Sequence, residues 1–321
     1  MEKLVEIKNL TKKFPKGRDF LGKPKGFVYA LNGIDLDIYK GETLGIVGES
    51  GCGKSTTGRC ILRLIEPDSG EIFFNGQNLL TLKNKALKNI RKNMQIIFQN
   101  PYSSLNPRMK IKDILLEPLK LNTTLSMQEM LKKVDEIIEC VGLSTNIKDN
   151  FPHEFSGGQR QRIIIAKALI LNPQFIIADE PISALDISIQ AQILNLLKDL
   201  KEKFNLTYAF ISHDLSTVEH FCDRVAVMYL GEIVEIAPTK ELFSNPKHPY
   251  TKVLLNSIPK INFDKKITEI DFATEPISNE QKNIGCNFKE RCQFAMDICA
   301  KKKPQLIEKT VNHYIKCFLE N

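Results

Sequence analysis

The stretch GESGCGKST, which begins at Gly48, has the residue types and spacing of a phosphate-binding loop. Gly48, Gly51 and Gly53 allow the backbone to turn its N–H groups inward around phosphate oxygens. Lys54 supplies a cation for the β- and γ-phosphates, and Ser55 offers a hydroxyl to Mg²⁺. The other positions of this predicted phosphate-binding stretch are Glu49, Ser50, Cys52 and Thr56.

The elements that must position this loop are a strand before it and a helix after it. The apolar run TLGIVG at 43–48 predicts a buried strand, and STTGRCILRLI, which follows Lys54, predicts a helix. The start of a helix presents the positive end of its dipole to a phosphate. A chance glycine-rich turn would not combine these features, so the sequence predicts nucleotide binding.

A pair of adjacent carboxylates, Asp179 and Glu180, ends the apolar segment QFIIAD and follows it. An aspartate in this position can hold Mg²⁺ through water, and the second carboxylate can orient an attacking water and accept its proton. An acidic pair alone is weak evidence. Placed about 125 residues after Lys54, it predicts hydrolysis of the bound nucleotide.

A second anion-binding device is predicted in FSGGQRQRIIIAKAL at 155–169. Ser156 is a predicted N-cap, and Gln159 completes a capping box. With Gly157 and Gly158, this helix start could bind a phosphate, although an ordinary helix cap has the same residues. One nucleotide needs only one cradle, so we interpret the second as half of a site completed by another protomer.

The composition is typical of a soluble globular protein, with 42% hydrophobic and 26% charged residues among 321. No segment approaches the roughly 18–20 apolar residues of a membrane span, and the N-terminus lacks the apolar core of a signal peptide. We therefore expect a cytosolic protein. The net charge is +7, and the basic run at 83–93 is interpreted as a solvated face, so no nucleic-acid partner is expected.

Taken together, the motifs resemble those of ABC-type ATPases, whose signature sequence FSGGQ matches, and the resemblance covers residues 1 to about 240. It implies an α/β fold: a P-loop ATPase domain with a RecA-like core, an antiparallel β subdomain and a helical subdomain. It also implies ATP and Mg²⁺ as cofactors.

The resemblance assigns further residues one at a time. Gln99 in IIFQNP matches the glutamine that senses γ-phosphate and Mg²⁺, and SALD at 183–186 matches the D-loop, which crosses the dimer interface. His213, taken as the end of a strand YAFISHD, matches the switch histidine. Phe14 matches the aromatic residue that stacks on adenine, with Tyr29 as its rival. The implied catalytic residues are Glu180, His213 and Gln99, and the implied Mg²⁺ ligands are Ser55 and Gln99.

Other segments agree with this resemblance. SGEIFFNGQNL at 69–79 predicts a hairpin with an Asn-Gly turn, and DRVAVMYLGEIVEIA at 223–237 predicts another that turns at Gly231. Residues of about 100–155 predict helices, interrupted by prolines. There is no second phosphate loop, so the sequence predicts one nucleotide domain.

The length leaves no room for the coiled coils or DNA-binding domains of ABC-like ATPases that act on nucleic acid, which are the rival class. The segments NPYSSLNPRM at 100–109, VMYLGEIVE at 227–235 and NPKHPYTKVLLNSIP at 245–259 resemble those of oligopeptide, dipeptide and nickel importers, and the first resembles the F-type subunit. The resemblance implies a paralogous ATPase subunit as heterodimer partner, two membrane permeases and an extracellular binding protein. We expect peptide uptake, with a nickel or metal-chelate importer as the alternative, and a location on the cytoplasmic face of the membrane.

Four of the eight cysteines lie within the last 36 residues, in the spacing C-x₅-C-x₆-C-x₁₇-C. Disulfides do not suit a reducing compartment. Four thiolates suit Zn²⁺ or a [4Fe–4S] cluster, although zinc ligands usually come in C-x₂₋₄-C pairs. The cysteines are Cys286, Cys292, Cys299 and Cys317.

The stretch GCNFKERC, which contains the first two of these cysteines, resembles the GC-x-F-x₂-RC tail of peptide-importer ATPases, except that a proline is usual where Asn287 lies. That resemblance implies an iron–sulfur cluster, with Zn²⁺ as the alternative. We therefore predict an ATPase domain over residues 1–243 and a cysteine-rich C-terminal extension over residues 244–321.

Overall fold

A computed structural model describes residues 2–17, 24–99, 104–257 and 284–320. Residues 100–103 of the NPYSSLNPRM segment lie outside the described residues, as do residues 258–283 of the predicted extension. Among the described helices, none is long and apolar enough to cross a membrane.

Strands form where apolar and β-branched residues run together, and strands covered on both faces are apolar at nearly every position. In chain order the strands are β1 (Lys3–Pro15), β2 (Phe27–Tyr39), β3 (Thr43–Val47), β4 (Ser69–Phe74), β5 (Gln77–Asn78), β6 (Met94–Ile97), β7 (Phe175–Asp179), β8 (Thr207–Ile211), β9 (Arg224–Tyr229), β10 (Glu232–Pro238), β11 (Ile307–Thr310) and β12 (His313–Ile315). Every residue of β3, β7 and β8 is buried. Each of these three strands leads into a predicted phosphate-binding or catalytic segment.

Several helices begin at side chains that cap them. Ser126 and Glu129, for example, form a capping box at the start of a 14-residue helix. In chain order the helices are α1 (Lys54–Ile61), α2 (Asn84–Arg91), α3 (Ile111–Asn122), α4 (Met127–Cys140), α5 (Gly157–Leu169), α6 (Ile187–Phe204), α7 (Leu215–Phe221), α8 (Thr239–Ser244), α9 (Pro249–Asn256) and α10 (Asp297–Lys301). Short 3₁₀ turns lie at Leu79–Thr81, Thr145–Asp149, Pro152–Glu154, Lys289–Arg291 and Phe318–Glu320.

The chain divides into two compact units, and each is built from separate stretches of sequence. The first comprises Met1–Glu2, Tyr39–Thr43 and Thr81–Ile211, and the second comprises Lys3–Ile38, Leu44–Leu80 and Ser212–Asn321. The predicted phosphate loop and the predicted extension therefore belong to the same unit. The domain boundary predicted after residue 243 falls inside α8 and stays a prediction.

In the first unit, β6, β7 and β8 pair in parallel, with Ile97 opposite Ala178 and Ala178 opposite Phe210. Helix α5 packs against β6 and against α3, α4 and α6. The helices predicted over residues of about 100–155 are confirmed by α3 and α4, and Pro118 lies inside α3.

The second unit contains two groups of paired strands. One is an antiparallel sheet in the order β2-β1-β4-β5. In the other, β3 pairs in parallel with β9, and β9, β10, β12 and β11 then pair antiparallel in that order. Both predicted hairpin turns are confirmed, with positive φ angles of 48° at Asn75, 75° at Gly76, 44° at Leu230 and 78° at Gly231.

Buried glutamates of β10 join the C-terminal residues to this unit. Glu235 is fully buried and accepts hydrogen bonds from the backbone N–H groups of Lys247 (2.7 Å) and His248 (3.0 Å) and from Nε2 of His313 (2.7 Å). Glu232 forms an ion pair with Lys316 at 2.8 Å. These contacts and the β10–β12 pairing fix residues 313–316 against β10 within this unit.

Candidate functional site

The glycine loop has a backbone that other residues could not adopt without displacing their neighbours. The φ angles are 149° at Gly48, 78° at Gly51 and 107° at Gly53, which lie in the region that favours glycine. A Cβ atom on Gly48 would lie 2.2 Å from the Met228 carbonyl oxygen, and one on Gly53 would lie 2.3 Å from the Ala30 carbonyl oxygen. The loop therefore needs glycine at both positions, for backbone conformation and for space.

Lys54, the first residue of α1, has its ammonium inside the glycine loop. The residue is buried, and Nζ donates to the carbonyl oxygens of Gly48 (2.8 Å) and Glu49 (2.9 Å). The N-cap of α1, Gly53, has no side chain to cap the helix, so the first N–H groups of α1 receive no side-chain cap from that residue. A buried cation beside helical N–H groups is an arrangement suited to a phosphate.

The remaining predicted residues of the loop lie around this cation. Ser55 and Thr56 are in the first turn of α1 and are half-buried, whereas Ser50 is exposed. Cys52 is buried, with its sulfur 3.9 Å from Nζ of Lys54, and burial raises the pKa of its thiol. The Cys52 thiol is therefore protonated at neutral pH.

The two candidates for adenine stacking lie on neighbouring strands of the second unit. Phe14 is in β1 and half-buried, with the Lys12 ammonium 5.4 Å from its ring centroid. Tyr29 is in β2 and is also half-buried. Both side chains are therefore partly accessible.

In the first unit, one hydrogen bond joins two of the predicted catalytic residues. Glu180 follows the buried Asp179 at the end of β7, and its Oε2 accepts from Nε2 of Gln99 at 2.7 Å. Glu180 has a φ angle of 50°, which is unfavourable for a residue with a Cβ atom by about 1 kcal/mol. Such a conformation is common where a side chain must be held for chemistry.

The predicted capping box at the signature sequence is present. Oγ of Ser156 accepts from the Gln159 N–H (3.4 Å), and Oε1 of Gln159 accepts from the Ser156 N–H (3.0 Å). A Cβ atom on Gly158 would lie 2.7 Å from Cγ2 of Ile189 in α6, so the start of α5 packs closely on α6. Ser156 itself is exposed and accessible to another molecule.

The predicted switch histidine does not end a strand, which corrects the sequence-based expectation. β8 ends at Ile211, and His213 lies two residues later, exposed, in the second unit. The chain turns because Oγ of Ser212 accepts from the Asp214 N–H at 3.0 Å, and Asp214 then caps α7. His213 is thus held at the centre of a short turn.

The D-loop segment lies between Glu180 and α6. Oγ of Ser183 donates to the Glu180 carbonyl oxygen at 3.2 Å, and Asp186 is the N-cap of α6. A Cβ atom on Gly157 would be 3.4 Å from the side chain of Leu185. The D-loop and the signature sequence are therefore in contact within one unit.

The four C-terminal cysteines line one narrow cavity. The other residues that line it are His248, Pro249, Phe288, Lys289, Phe294, Pro304, Phe318 and Leu319. The burial of Cys286, together with the three neighbouring thiols, raises its pKa to about 11. The lining cysteines are Cys286, Cys292, Cys299 and Cys317.

This cavity is not a metal-ion site as it is shaped in the structure. Across residues 2–17, 24–99, 104–257 and 284–320, no three His, Cys, Asp or Glu side chains are arranged to hold a metal ion. The donor set is nevertheless four thiols of one class, facing a common space with an apolar wall, and none of them forms a disulfide. The chemistry of the donors fits a thiolate-bound group, whereas their arrangement in the structure would have to change to hold one.

Three residues beside the phosphate loop were not predicted from the sequence, and two of them, Arg291 and Tyr250, contact it directly. Both guanidinium Nη atoms of Arg291 donate to the Glu49 carboxylate, at 3.0 and 3.1 Å. The Tyr250 hydroxyl accepts from the Glu49 N–H at 3.0 Å, and Phe288 packs on Tyr250 with ring centroids 5.5 Å apart. The one signal in the sequence was the GC-x-F-x₂-RC pattern, in which Phe288 is the F and Arg291 is the R.

Comparison with known proteins gives two family models that match. The ABC transporter model matches residues 31–183, and the model of the C-terminal region of oligopeptide/dipeptide transporters matches residues 234–299. The first range contains the phosphate loop, the signature sequence and the acidic pair. The second contains three of the four clustered cysteines.

Relatives match over nearly the whole chain. The oligopeptide transport ATP-binding protein AppF of Bacillus subtilis is 47% identical over 321 residues, which is 99% of this chain and 98% of the relative. The dipeptide transport ATP-binding protein DppF of Escherichia coli is 46% identical over 303 residues, 94% of this chain and 90% of the relative.

Two solved structures support the same fold. The dimeric ATP-binding cassette MJ0796, in a post-hydrolysis state with ADP and Pi, is 31% identical with a TM-score of 0.65, covering 73% of this chain and 98% of that one. The cbiO1 subunit from Clostridium perfringens, part of the ABC transporter complex cbiONQ, is 27% identical with a TM-score of 0.66, covering 76% and 92%. The predicted P-loop ATPase fold is therefore confirmed.

Proposed function

The chain belongs to the ABC transporter family, and from that premise we propose that it is the ATP-hydrolysing subunit of a peptide importer. The observation that carries the proposal is the Lys54 ammonium inside the glycine loop, in a chain that matches an oligopeptide transport ATP-binding protein over 99% of its length. Peptides are the proposed substrate class because the relatives reported above are named for oligopeptide and dipeptide transport.

We propose that residues 48–56 bind the phosphates of ATP. The backbone N–H groups of the loop and of the first turn of α1 would donate to phosphate oxygens, and Lys54 would exchange its carbonyl partners for the β- and γ-phosphates. Phe14, or Tyr29 in its place, would stack on adenine.

Glu180 is the proposed general base. Its carboxylate would accept a proton as the oxygen of a water attacks the γ-phosphorus and the bond from that phosphorus to ADP breaks. Gln99 already holds the carboxylate at 2.7 Å through its Nε2, which restricts its orientation before water arrives. His213 is proposed to contact the γ-phosphate.

Mg²⁺, when bound, neutralises charge on the β- and γ-phosphates. Ser55 and Gln99 are the proposed direct ligands, and Asp179 is the proposed ligand through water. Because Nε2 of Gln99 is used on Glu180, the amide oxygen of Gln99 is the atom left for the metal. Asp179 is buried at the end of β7, as a carboxylate held near a fixed cation should be.

A second ATPase protomer is the proposed partner of the signature sequence. Ser156, Gly157, Gly158 and Gln159 would close on the nucleotide that the partner binds, and the partner's signature sequence would do the same here. The exposure of Ser156 and the fixed capping box support this role, because the helix start is preformed and accessible. The partner is proposed to be a paralogous subunit, which makes a heterodimer.

Two membrane permeases and an extracellular binding protein are the other proposed partners, and the proposed location is the cytoplasmic face of the membrane. This assignment is supported by relatives that are transport subunits and by the lack of a membrane-spanning helix in the described part of the chain. Neither a nickel importer nor an ATPase acting on nucleic acid is favoured by the relatives.

For the cysteine cavity, a [4Fe–4S] cluster is the proposed ligand and Zn²⁺ the alternative. Four cysteine thiolates are the ligand set of such a cluster, and the spacing of these four does not follow the usual zinc pattern. A bound cluster would join residues 286, 292, 299 and 317, and so would hold together a segment with little core of its own.

The test of the ATPase assignment uses the subunit assembled with its partner ATPase and permeases. Glu180→Gln should lower ATP hydrolysis and uptake of a labelled peptide by about 10²–10⁴-fold, with MgATP binding retained. Glu202→Gln, an exposed glutamate of α6, is the matched control. The partner subunit's own ATP site could hydrolyse ATP and hide the effect. The equivalent glutamate of the partner is therefore also replaced, in the Glu180→Gln and in the Glu202→Gln preparation. Unchanged hydrolysis would remove Glu180 from its role.

The test of the cysteine assignment is anaerobic purification followed by visible spectroscopy and analysis of iron, sulfide and zinc. Iron and acid-labile sulfide in equal amounts, lost in a variant with all four cysteines replaced by serine, are the expected result. If the protein is colourless and contains zinc, the cavity is assigned to Zn²⁺ and the iron–sulfur assignment is wrong.

A further inference from the structure

A bidentate ion pair joins the phosphate loop to the cysteine-containing segment, which is residues 284–299. Nη1 of Arg291 lies 3.0 Å from Oε2 of Glu49, and Nη2 lies 3.1 Å from Oε1. The side chains are only 9% and 28% exposed. A planar fork on a carboxylate, partly shielded from water, is among the stronger and more directional side-chain contacts.

The same corner of the loop is held by an aromatic cluster. The Tyr250 hydroxyl accepts from the Glu49 N–H at 3.0 Å. The rings of Tyr229 and Tyr250 have centroids 4.6 Å apart, and Phe288 meets Tyr229 edge-on at 5.2 Å. The Arg291 guanidinium lies 5.8 Å from the Tyr229 ring and 5.9 Å from the Phe288 ring. Glu49 is therefore fixed at its backbone and at its carboxylate.

Arg291 is tied through the backbone to the wall of the cysteine cavity. Its N–H donates to the Phe288 carbonyl oxygen at 3.1 Å, and the Cys286 N–H donates to the Cys299 carbonyl oxygen at 2.8 Å. Cys292, a lining residue, follows Arg291 directly in the chain. A displacement of these cysteines would therefore displace the guanidinium.

On the other side, Glu49 leads directly to the nucleotide-binding atoms. Its carbonyl oxygen accepts from Nζ of Lys54 at 2.9 Å, and the carbonyl oxygen of the preceding Gly48 accepts from the same Nζ at 2.8 Å. The position of Glu49 thus helps to set the position of the lysine cation before nucleotide binds.

We propose that the cysteine-containing segment, residues 284–299, positions the phosphate loop for ATP through Arg291, so that disturbing the cysteine cavity weakens nucleotide binding. This inference rests on the proposed function, because it takes the loop to be the ATP site. Arg291 is a positioning residue in this account and touches no nucleotide. Because coupling between two sites is reciprocal, bound nucleotide also stabilises the cysteine-containing segment.

The first experiment measures the Kd of a fluorescent ATP analogue with Mg²⁺ on the full chain. Arg291→Ala should raise the Kd about tenfold, which is in the usual range for coupling between sites. Arg291→Lys keeps the charge but loses the planar fork, so its Kd should lie between those of the unaltered protein and Arg291→Ala. Lys302→Ala, at an exposed basic residue shortly after this segment, is the control and should bind as the unaltered protein does.

The second experiment asks whether the effect passes through Glu49. Arg291→Gln and Glu49→Gln should each weaken binding, and the double variant should bind about as well as either alone. In the assembled transporter, Arg291→Ala should raise the KM for ATP and leave kcat nearly unchanged. A residue that only braces the fold would lower Tm without this split. If Arg291→Ala does not fold, the Lys and Gln variants give the same comparison.

The third experiment disturbs the cavity. Cys292→Ser should raise the Kd for the analogue and speed hydrogen exchange over residues 48–56, and Arg291→Ala added to it should have no further effect. Lys54→Ala should abolish binding of the analogue and so tests the proposed function separately. If it does, but Cys292→Ser or Arg291→Ala binds the analogue normally, the inference is overturned and the proposed function stands. Failure of the unaltered protein to bind MgATP would overturn both.

Discussion

His248 provides a pH-dependent test of how the C-terminal part of the second unit is held together. Its ring is fully buried, and its Nδ1 accepts from the Tyr250 N–H at 3.0 Å as the N-cap of α9. Burial lowers the pKa of His248 from 6.5 to about 4, against the opposing charge of Glu235. A protonated Nδ1 could not accept the Tyr250 hydrogen bond, so the native state requires the neutral ring.

The size of the effect follows from the two pKa values. Because the pKa of His248 is lower in the folded chain than in the unfolded chain, the unfolded chain binds more protons between pH 6.5 and about pH 4. The free energy of unfolding therefore falls as the pH is lowered through this window. The loss is about 2 kcal/mol between about pH 7 and about pH 5, and about 3 kcal/mol in full.

Denaturant unfolding of the full chain, followed by circular dichroism at several pH values, measures this loss. Other groups titrate too, so the quantity of interest is the difference between the unaltered protein and His248→Asn, which keeps an N-cap acceptor without titrating. Between about pH 7 and about pH 5, the unaltered protein should lose about 2 kcal/mol more free energy of unfolding than His248→Asn does. His220→Asn, at an exposed histidine, is the matched control for the substitution itself. An identical slope for His248→Asn would refute the assignment of a buried neutral ring.

Three further substitutions test the close contacts. Gly53→Ala should abolish MgATP binding in the fluorescent-analogue titration, because its Cβ would lie 2.3 Å from the Ala30 carbonyl oxygen at a φ of 107°. Gly285→Ala should lower Tm and open the cysteine cavity to thiol-reactive dyes, because its Cβ would lie 2.1 Å from the Cys299 carbonyl oxygen. Glu235→Gln should lower the free energy of unfolding by about 2–4 kcal/mol, because a buried acceptor of three hydrogen bonds would become a partial donor.

Matched controls separate these effects from general sensitivity. Gly26→Ala has open space around its Cβ and should bind nucleotide and unfold as the unaltered protein does. Glu241→Gln, a half-exposed glutamate 3.7 Å from Nδ1 of His313, should cost much less than Glu235→Gln. Equal losses at control and test positions would argue against contact-specific effects.

Local features were predictable from the sequence because their partners are close along the chain. The Ser156–Gln159 capping box joins residues three apart, and the Asn75–Gly76 turn needs only two residues that tolerate a positive φ. The glycine loop is likewise defined by a short stretch between an apolar strand and a helix. The end of β8 was misplaced, because the Ser212 side chain turns the chain before His213.

The contacts that hold the candidate site together were decided by the tertiary structure. The hydrogen bond from Gln99 to Glu180 spans 81 residues, and the ion pair from Arg291 to Glu49 spans 242. The cysteine spacing indicated a shared ligand, but only packing brought all four thiols to one cavity. The sequence by itself determined which chemistry the chain can perform, because that depends on residue types at short spacing. Which distant side chain steadies the phosphate loop depends on how strands far apart in sequence pair and pack, and no local pattern records it.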